Sequence, residues 1–250
     1  MWAFWAIGCI WSDFDEALDY RIDRTIIPAM RMTPRVAPGG VERIFEALVL
    51  APRPAGVPRW EVCGLYEGRI ARIGDLCFEE ASLVTVIGEG ATISWVPPPI
   101  DVDCTFAHSG VGRECLSSFP VRAIASGPDG VGRAILPLTV VPDDGAVWEL
   151  PGPVPVRIEV VEGTPAPGAE VLLQATTRGD DRDQPFRWYV DDGLLLGTGR
   201  TEPWTVGAGL VTARNRLRIP EGYEGDLRVA VVVEQEGEMS WVVSTLVVTP

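Results

Sequence analysis

Two stretches, RWEVCGLYEG at 59–68 and RWYVDDGLLLG at 187–197, write nearly the same phrase in one chain. The agreement extends on both sides. Upstream, an Ala-Pro-Gly turn (Ala37–Gly39 and Ala166–Gly168) precedes an alternating run, a polar or Pro-rich loop, and then Arg-Trp. Pro38 to Trp60 spans 22 positions and Pro167 to Trp188 spans 21, so a single gap aligns them. Downstream, ATISWVPP (91–98) faces NRLRIPEG (215–222), and the run 120–142 faces 226–250.

Each half holds about seven strand-like runs, with turn signals every roughly 8–12 residues, the pattern of an antiparallel sandwich. A large apolar ring on the third strand of such a sandwich fills the space between the sheets, while its neighbours alternate outward. Trp60 and Trp188 are therefore expected to be equivalent core plugs, and the aromatic sugar platform is the weaker reading for both. The fold class that follows is all-β, with two tandem Ig-like antiparallel sandwiches at 25–142 and 154–250. The Pro- and Gly-rich segment 143–153 is expected to be a short, stiff hinge.

All 21 Lys+Arg residues are Arg, and there is one histidine, His108. Without lysine there is no Schiff-base amine, no Ser/Lys dyad and no P-loop cation. A formal net charge of −14 opposes a phosphate backbone, so nucleic acid is excluded as a general partner. No apolar run approaches the roughly 18–20 residues of a membrane helix.

Of five cysteines, Cys9 stands alone while Cys63, Cys77, Cys104 and Cys115 all fall in the first half. Four in one domain and none in its counterpart point to two local disulfides. Three pairings are possible; Cys63 with Cys77 and Cys104 with Cys115 close the shortest loops. The second pair would staple an insertion of about 17 residues, since Pro97 to Val121 spans 24 positions and Pro220 to Leu227 only 7. A zinc site built from these cysteines, with or without His108, lacks knuckle spacing. Disulfides imply an oxidising compartment and hence export.

Ala6-Ile7-Gly8-Cys9 has the form of a lipobox, with Cys9 the lipidated residue. Only eight residues precede it and none is basic, so the true start is expected upstream of Met1, with 1–24 a signal remnant and tether. Two or more acyl chains on Cys9 would make a stable bilayer anchor.

On these motifs the chain resembles a group of cell-envelope lipoproteins of high-GC Gram-negative bacteria of the myxobacterial kind. In them the lipobox Cys is followed by an acidic segment (here Asp19–Arg24), an APGG turn (Ala37–Gly40), a Trp strand ending in Cys (Trp60–Cys63) and a second Cys (Cys77). The resemblance spans roughly residues 6–142. It implies a lipid-anchored envelope protein and supplies no activity; Ile10 after the Cys points to the outer membrane by analogy.

Candidate sites are few. His108 beside Ser109 lacks a nucleophile turn, and adjacent His and Ser do not face each other, so no catalytic residue is assigned and the protein is expected not to be an enzyme. Asp180, Asp181 and Asp183 are weak calcium candidates without EF-hand spacing; neither metal nor cofactor is expected. Arg214, Arg216 and Arg218 fall on one face of a strand and could grip an anionic polysaccharide, or simply keep that face solvated. Trp148 and Trp204 occupy no repeated core position and, with His108, are the further candidate contacts. The expected function is a non-catalytic envelope binding or structural module with a protein partner; a glycan-binding adhesin is second and a hydrolase third.

Overall fold

The computed structural model describes residues 20–65, 75–99, 117–141, 154–178, 185–191, 194–196, 199–201, 203–205, 209–235 and 238–249. Alternation of apolar and polar residues sets the strands. In the first half, β1 (Ile26–Thr33), β3 (Arg43–Leu50) and β6 (Thr92–Trp95) form a three-stranded sheet in the order β1-β3-β6. Facing it, β2 (Val36–Pro38), β4 (Arg59–Cys63), β5 (Val84–Glu89), β7 (Ser117–Gly127) and β8 (Gly130–Val141) lie in the order β2-β8-β7-β4-β5. After β1 the chain crosses between sheets, and β2 pairs parallel with the last strand, Val36 opposite Thr139. In Ig lettering these are strands A, B, E and A′, G, F, C, C′, and the A-to-A′ switch is a feature of that fold.

Arg43 holds this switch. It is fully buried, and its guanidinium donates to the carbonyls of Ala37 (2.6 Å), Arg35 (3.0 Å) and Pro34 (3.4 Å). The guanidinium thereby ties together three closely spaced backbone carbonyls where the chain leaves one sheet for the other.

The second half repeats the plan with a different edge. One sheet runs β12-β15-β10-β9, from β9 (Val154–Glu162), β10 (Glu170–Arg178), β12 (Leu194–Leu195) and β15 (Leu210–Arg218), with β14 (Trp204–Thr205) also on β15. The other runs β13-β11-β16-β17, from β11 (Phe186–Val190), β13 (Arg200–Thr201), β16 (Gly225–Gln235) and β17 (Glu238–Val248). Among the described residues no strand pairs with β17 on its far side.

Trp60 and Trp188 sit on the equivalent strands β4 and β11 with 0% exposure, each between its two sheets. Both indoles satisfy their one donor: Trp60 Nε1 to the Gly90 carbonyl at 2.8 Å, and Trp188 Nε1 to Thr201 Oγ1 at 2.8 Å. Gly90 lies in the left-handed half of backbone space (φ 143°) where the chain leaves β5 for β6, a turn that suits glycine.

The two sandwiches meet directly. Ile26, Ala29, Leu48 and Leu50, on the outer face of the β1-β3-β6 sheet, pack with Ile22 against Tyr189, Ala230, Val232 and Met239 of the second sandwich, and Trp241 borders them. Around this apolar seam Arg31 lies 4.9 Å above the Trp241 ring, and Arg228 pairs with Asp191 while donating to the Ala51 carbonyl at 2.6 Å. The segment expected to be a tether ends in the second sandwich: the Ile22 amide donates to the Val190 carbonyl and the Val190 amide to that of Tyr20, each at 2.8 Å. Gly199 leaves room for this segment, since a Cβ there would lie 2.8 Å from that of Tyr20. The expected hinge at 143–153 lies outside the described residues.

Candidate functional site

The outer face of the first sandwich is stapled. Cys63 at the end of β4 and Cys77 in a 3-10 turn at Asp75–Glu79 form a disulfide with Cα atoms 6.0 Å apart, one of the two expected pairs. The bridge lies with Phe78 against Leu83, Val84 and Ile135, covering the outside of the β4-β5-β8 region. Arg122 stacks 4.1 Å over the Phe78 ring and pairs with Glu61 at 2.7 Å; Glu61 is nearly buried and also pairs with Arg59 at 2.9 Å. Thus each sandwich has the outer face of its Trp-bearing sheet covered, the first by its own stapled segment and the second by its neighbour. Cys104, Cys115 and His108, with the insertion that carries them, lie outside the described residues.

The three arginines of β15 do share one exposed face, opposite buried Leu217 and Ala213. Each meets a side chain of its own protein. Arg214 Nε donates to Gln174 Oε1 at 2.8 Å, Arg216 lies 3.6 Å from Glu162, and Arg218 pairs with Glu170. An anionic ligand would have to displace those partners, and exposed pairs of this kind hold each other by only about 0–1 kcal/mol. Trp204 on β14 is 40% exposed, with the Arg214 guanidinium 5.2 Å from its ring centre. Exposed aromatic and cation thus stand together, as the sequence pattern of β15 alone could not show.

Trp148, Cys9 and the calcium candidates Asp180, Asp181 and Asp183 lie outside the described residues. Asp191, which follows the Trp188 strand, is engaged by Arg228. Among the described residues no group of three or more His, Cys, Asp or Glu side chains is placed to hold a metal ion, and no helix is long and apolar enough to cross a membrane.

The residues that join the sandwiches were not singled out from sequence, although a signal for them exists. FEALVL at 45–50 and VAVVV at 229–233 lose the in-out alternation of a one-sided strand. A strand apolar on both faces is buried on both faces. Here the second face of each run is the junction.

Strand order, the A-to-A′ switch of the first half and the buried Trp on each C strand define a protein of two tandem Ig-like domains. No protein family and no curated protein matches the chain. Among solved structures, the N-terminal eight Ig domains of Down Syndrome Cell Adhesion Molecule align with 90% of this chain and 27% of that one, at 11% identity and a TM-score of 0.28. A complex of Dpr2 with DIP-Theta Ig domains aligns over 90% and 65% at 12% identity and a TM-score of 0.25. Escherichia coli alpha-2-macroglobulin aligns over 91% and 22% at 13% identity and a TM-score of 0.26. The chain spans less than two thirds of each, and the fold class follows from its own strand order.

Proposed function

We propose that the protein is a non-catalytic binding or structural module of the cell envelope, exported and held at the outer membrane by an acylated Cys9, with another envelope protein as its partner. The observation that carries this reading is the Cys63–Cys77 disulfide. A bridge of this kind forms and persists in an oxidising compartment, and this one fixes a surface segment onto a rigid sandwich, the arrangement in which grafted loops carry recognition. The apolar seam between the sandwiches supports the same reading, because it sets their surfaces in one relative position instead of leaving them on a free hinge.

A second reading, a glycan-binding accessory module, rests on Trp204, whose half-open ring and neighbouring Arg214 could stack and hydrogen-bond an acidic sugar. Titrating an anionic polysaccharide against tryptophan fluorescence, with Trp204→Ala as the control, separates the two. Saturable quenching that this substitution abolishes favours the glycan.

The address is tested by intact mass of the protein from its native membrane fraction, with and without reductant and alkylation. A chain beginning at acylated Cys9, with Cys63 and Cys77 unreactive until reduction, is the expected result. An unmodified chain starting at Met1 with reactive thiols at both positions overturns export and anchoring together.

A further inference from the structure

We infer that residues 20–25 form a latch: this strap keeps the first sandwich out of the line of pull between the two ends of the described chain, and its release puts that sandwich and the seam under load. Tyr20, the first described residue, is bonded to the second sandwich; so is Thr249, the last, whose amide donates to the Pro165 carbonyl at 3.4 Å. Between them the chain runs out through the whole first sandwich and back. A pull that enters before Tyr20 and leaves after Thr249 is therefore carried by the second sandwich alone while the strap stays seated. The inference goes beyond the envelope reading and does not rest on lipidation of Cys9, because any pull from the N-terminal side loads the strap in the same way.

The seat of the strap is short. Along the edge of β11, β13 pairs with Phe186 and Arg187, and the Trp188 amide donates to the Gly199 carbonyl at 2.7 Å. The strap takes over where β13 leaves off: the Val190 amide donates to the Tyr20 carbonyl, and the Val190 carbonyl accepts from the Ile22 amide, each at 2.8 Å. Tyr20 also packs on the core of the second sandwich, close over Gly199. Among the described residues those two bonds tie the main chain of the strap to this sheet, whereas β16 and β17 stay paired from Gly225 and Val248 to Gln235 and Glu238. Segments with few backbone bonds open at the low end of the stability range, so the strap yields before the sheet does. Ile22 carries the release to the seam. It is 1% exposed and packs in one cluster with Leu48, Leu50, Tyr189 and Ala230; the strap cannot leave β11 without drawing this side chain out of the junction. The far end of the strap is fixed to the first sandwich, where Thr25 is buried against Gly127.

The test is single-molecule stretching of the full, unlipidated chain between handles at its two ends. The expected first event is a short lengthening, on the order of 20 Å for residues 20–25 drawn straight, at a force below that of either sandwich, whose unfolding gives steps on the order of 300 Å. Gly199→Ala sets a Cβ 2.8 Å from that of Tyr20. It is expected to lower the force of the first event and to quicken exchange of the Ile22 and Val190 amides at least about tenfold. Its radius of gyration should rise with an unchanged circular dichroism spectrum. Tyr20→Ala removes the ring from its seat and is expected to act in the same direction; it decides the matter if Gly199→Ala does not fold. A wild-type chain whose first event is the unfolding of a whole sandwich overturns the latch. Variants that quicken exchange at Ile22 and Val190 yet scatter as the parent does overturn its coupling to the seam.

Discussion

Arg228 on β16 reaches from the second sandwich to the first, its Nη2 donating to the carbonyl of Ala51 at 2.6 Å while Nε pairs with Asp191. One guanidinium therefore fastens the rim of a seam whose centre is apolar. Leu48 and Ala230 lie in that centre, where an unpaired carboxylate is costly. Leu48→Asp is expected to part the sandwiches without unfolding either, seen in solution scattering as a larger radius of gyration with an unchanged circular dichroism spectrum. Arg228→Ala removes only the rim contacts and is expected to cost about 1.5–3 kcal/mol, the range for a hydrogen bond to a charged group. If both variants scatter as the parent does, the seam does not hold the sandwiches together.

The indoles of Trp60 and Trp188 give a second expectation. Replacing either by Ala in these cores should cost about 3–5 kcal/mol in urea unfolding. Trp188→Phe keeps most of the packing but strands Thr201 Oγ1, whereas pairing it with Thr201→Val removes donor and acceptor together. The double variant is expected to be the more stable of the two, and the reverse order would show that this hydrogen bond contributes little.

How much of this was legible in the sequence follows from where alternation survives. The last hairpin of the first half alternates, and each Trp strand carries a ring too large for any other place, so these stand as expected. β2 is three residues long and parallel to its partner, so no period announces it. The junction was hidden for the opposite reason, because FEALVL and VAVVV are apolar on both faces and a repeat comparison assigns only one face to the core. The β15 arginines were placed on one face correctly, yet their partners Gln174, Glu162 and Glu170 come from strands that only the sheet order brings alongside.

Arg43 shows what pattern reading cannot see, a cation inside a core. Burial pushes its guanidinium down to about 10, with no carboxylate to offset the desolvation. It is held there by the carbonyls of Pro34, Arg35 and Ala37. Arg43→Ala empties the space and removes all three bonds; with a penalty of about 1–3 kcal/mol for a buried acceptor such as the Ala37 carbonyl losing this donor, the A-to-A′ switch should loosen. The expected signature is faster hydrogen exchange at Val36–Pro38 and Thr139–Val141, with the second sandwich unaffected. Unchanged exchange there would mean that the parallel pairing holds itself.

Cys63 and Cys77 are 14 positions apart, and in the chain-entropy account a loop of this size restricts the unfolded state by about 3 kcal/mol. Reduction is expected to lower the unfolding temperature of the first sandwich alone and to expose Phe78 and Leu83. Thermal unfolding followed with and without reductant, beside the Cys63→Ala, Cys77→Ala double variant, checks this. Equal melting in all three states would show that packing on Val84 and Ile135 suffices to seat the segment.

Tyr189 makes the junction sensitive to alkali. Desolvation in the seam raises its phenol above the ordinary value of 10.0, against an opposing attraction from Arg187. The folded protein therefore keeps this proton at a pH where the unfolded chain has lost it. The contribution to stability is complete below about pH 10 and is lost as pH rises through the elevated folded value. Phenylalanine has no proton to lose, so the difference in melting temperature between wild type and Tyr189→Phe should be constant from pH 7 to 9 and then shift in favour of the variant. Because Tyr189 lies on the seam and not between the sheets, the alkaline loss should appear first as parting of the sandwiches in scattering, ahead of the loss of strand structure. Parallel melting curves up to pH 11 would place the phenol in contact with water and contradict its burial.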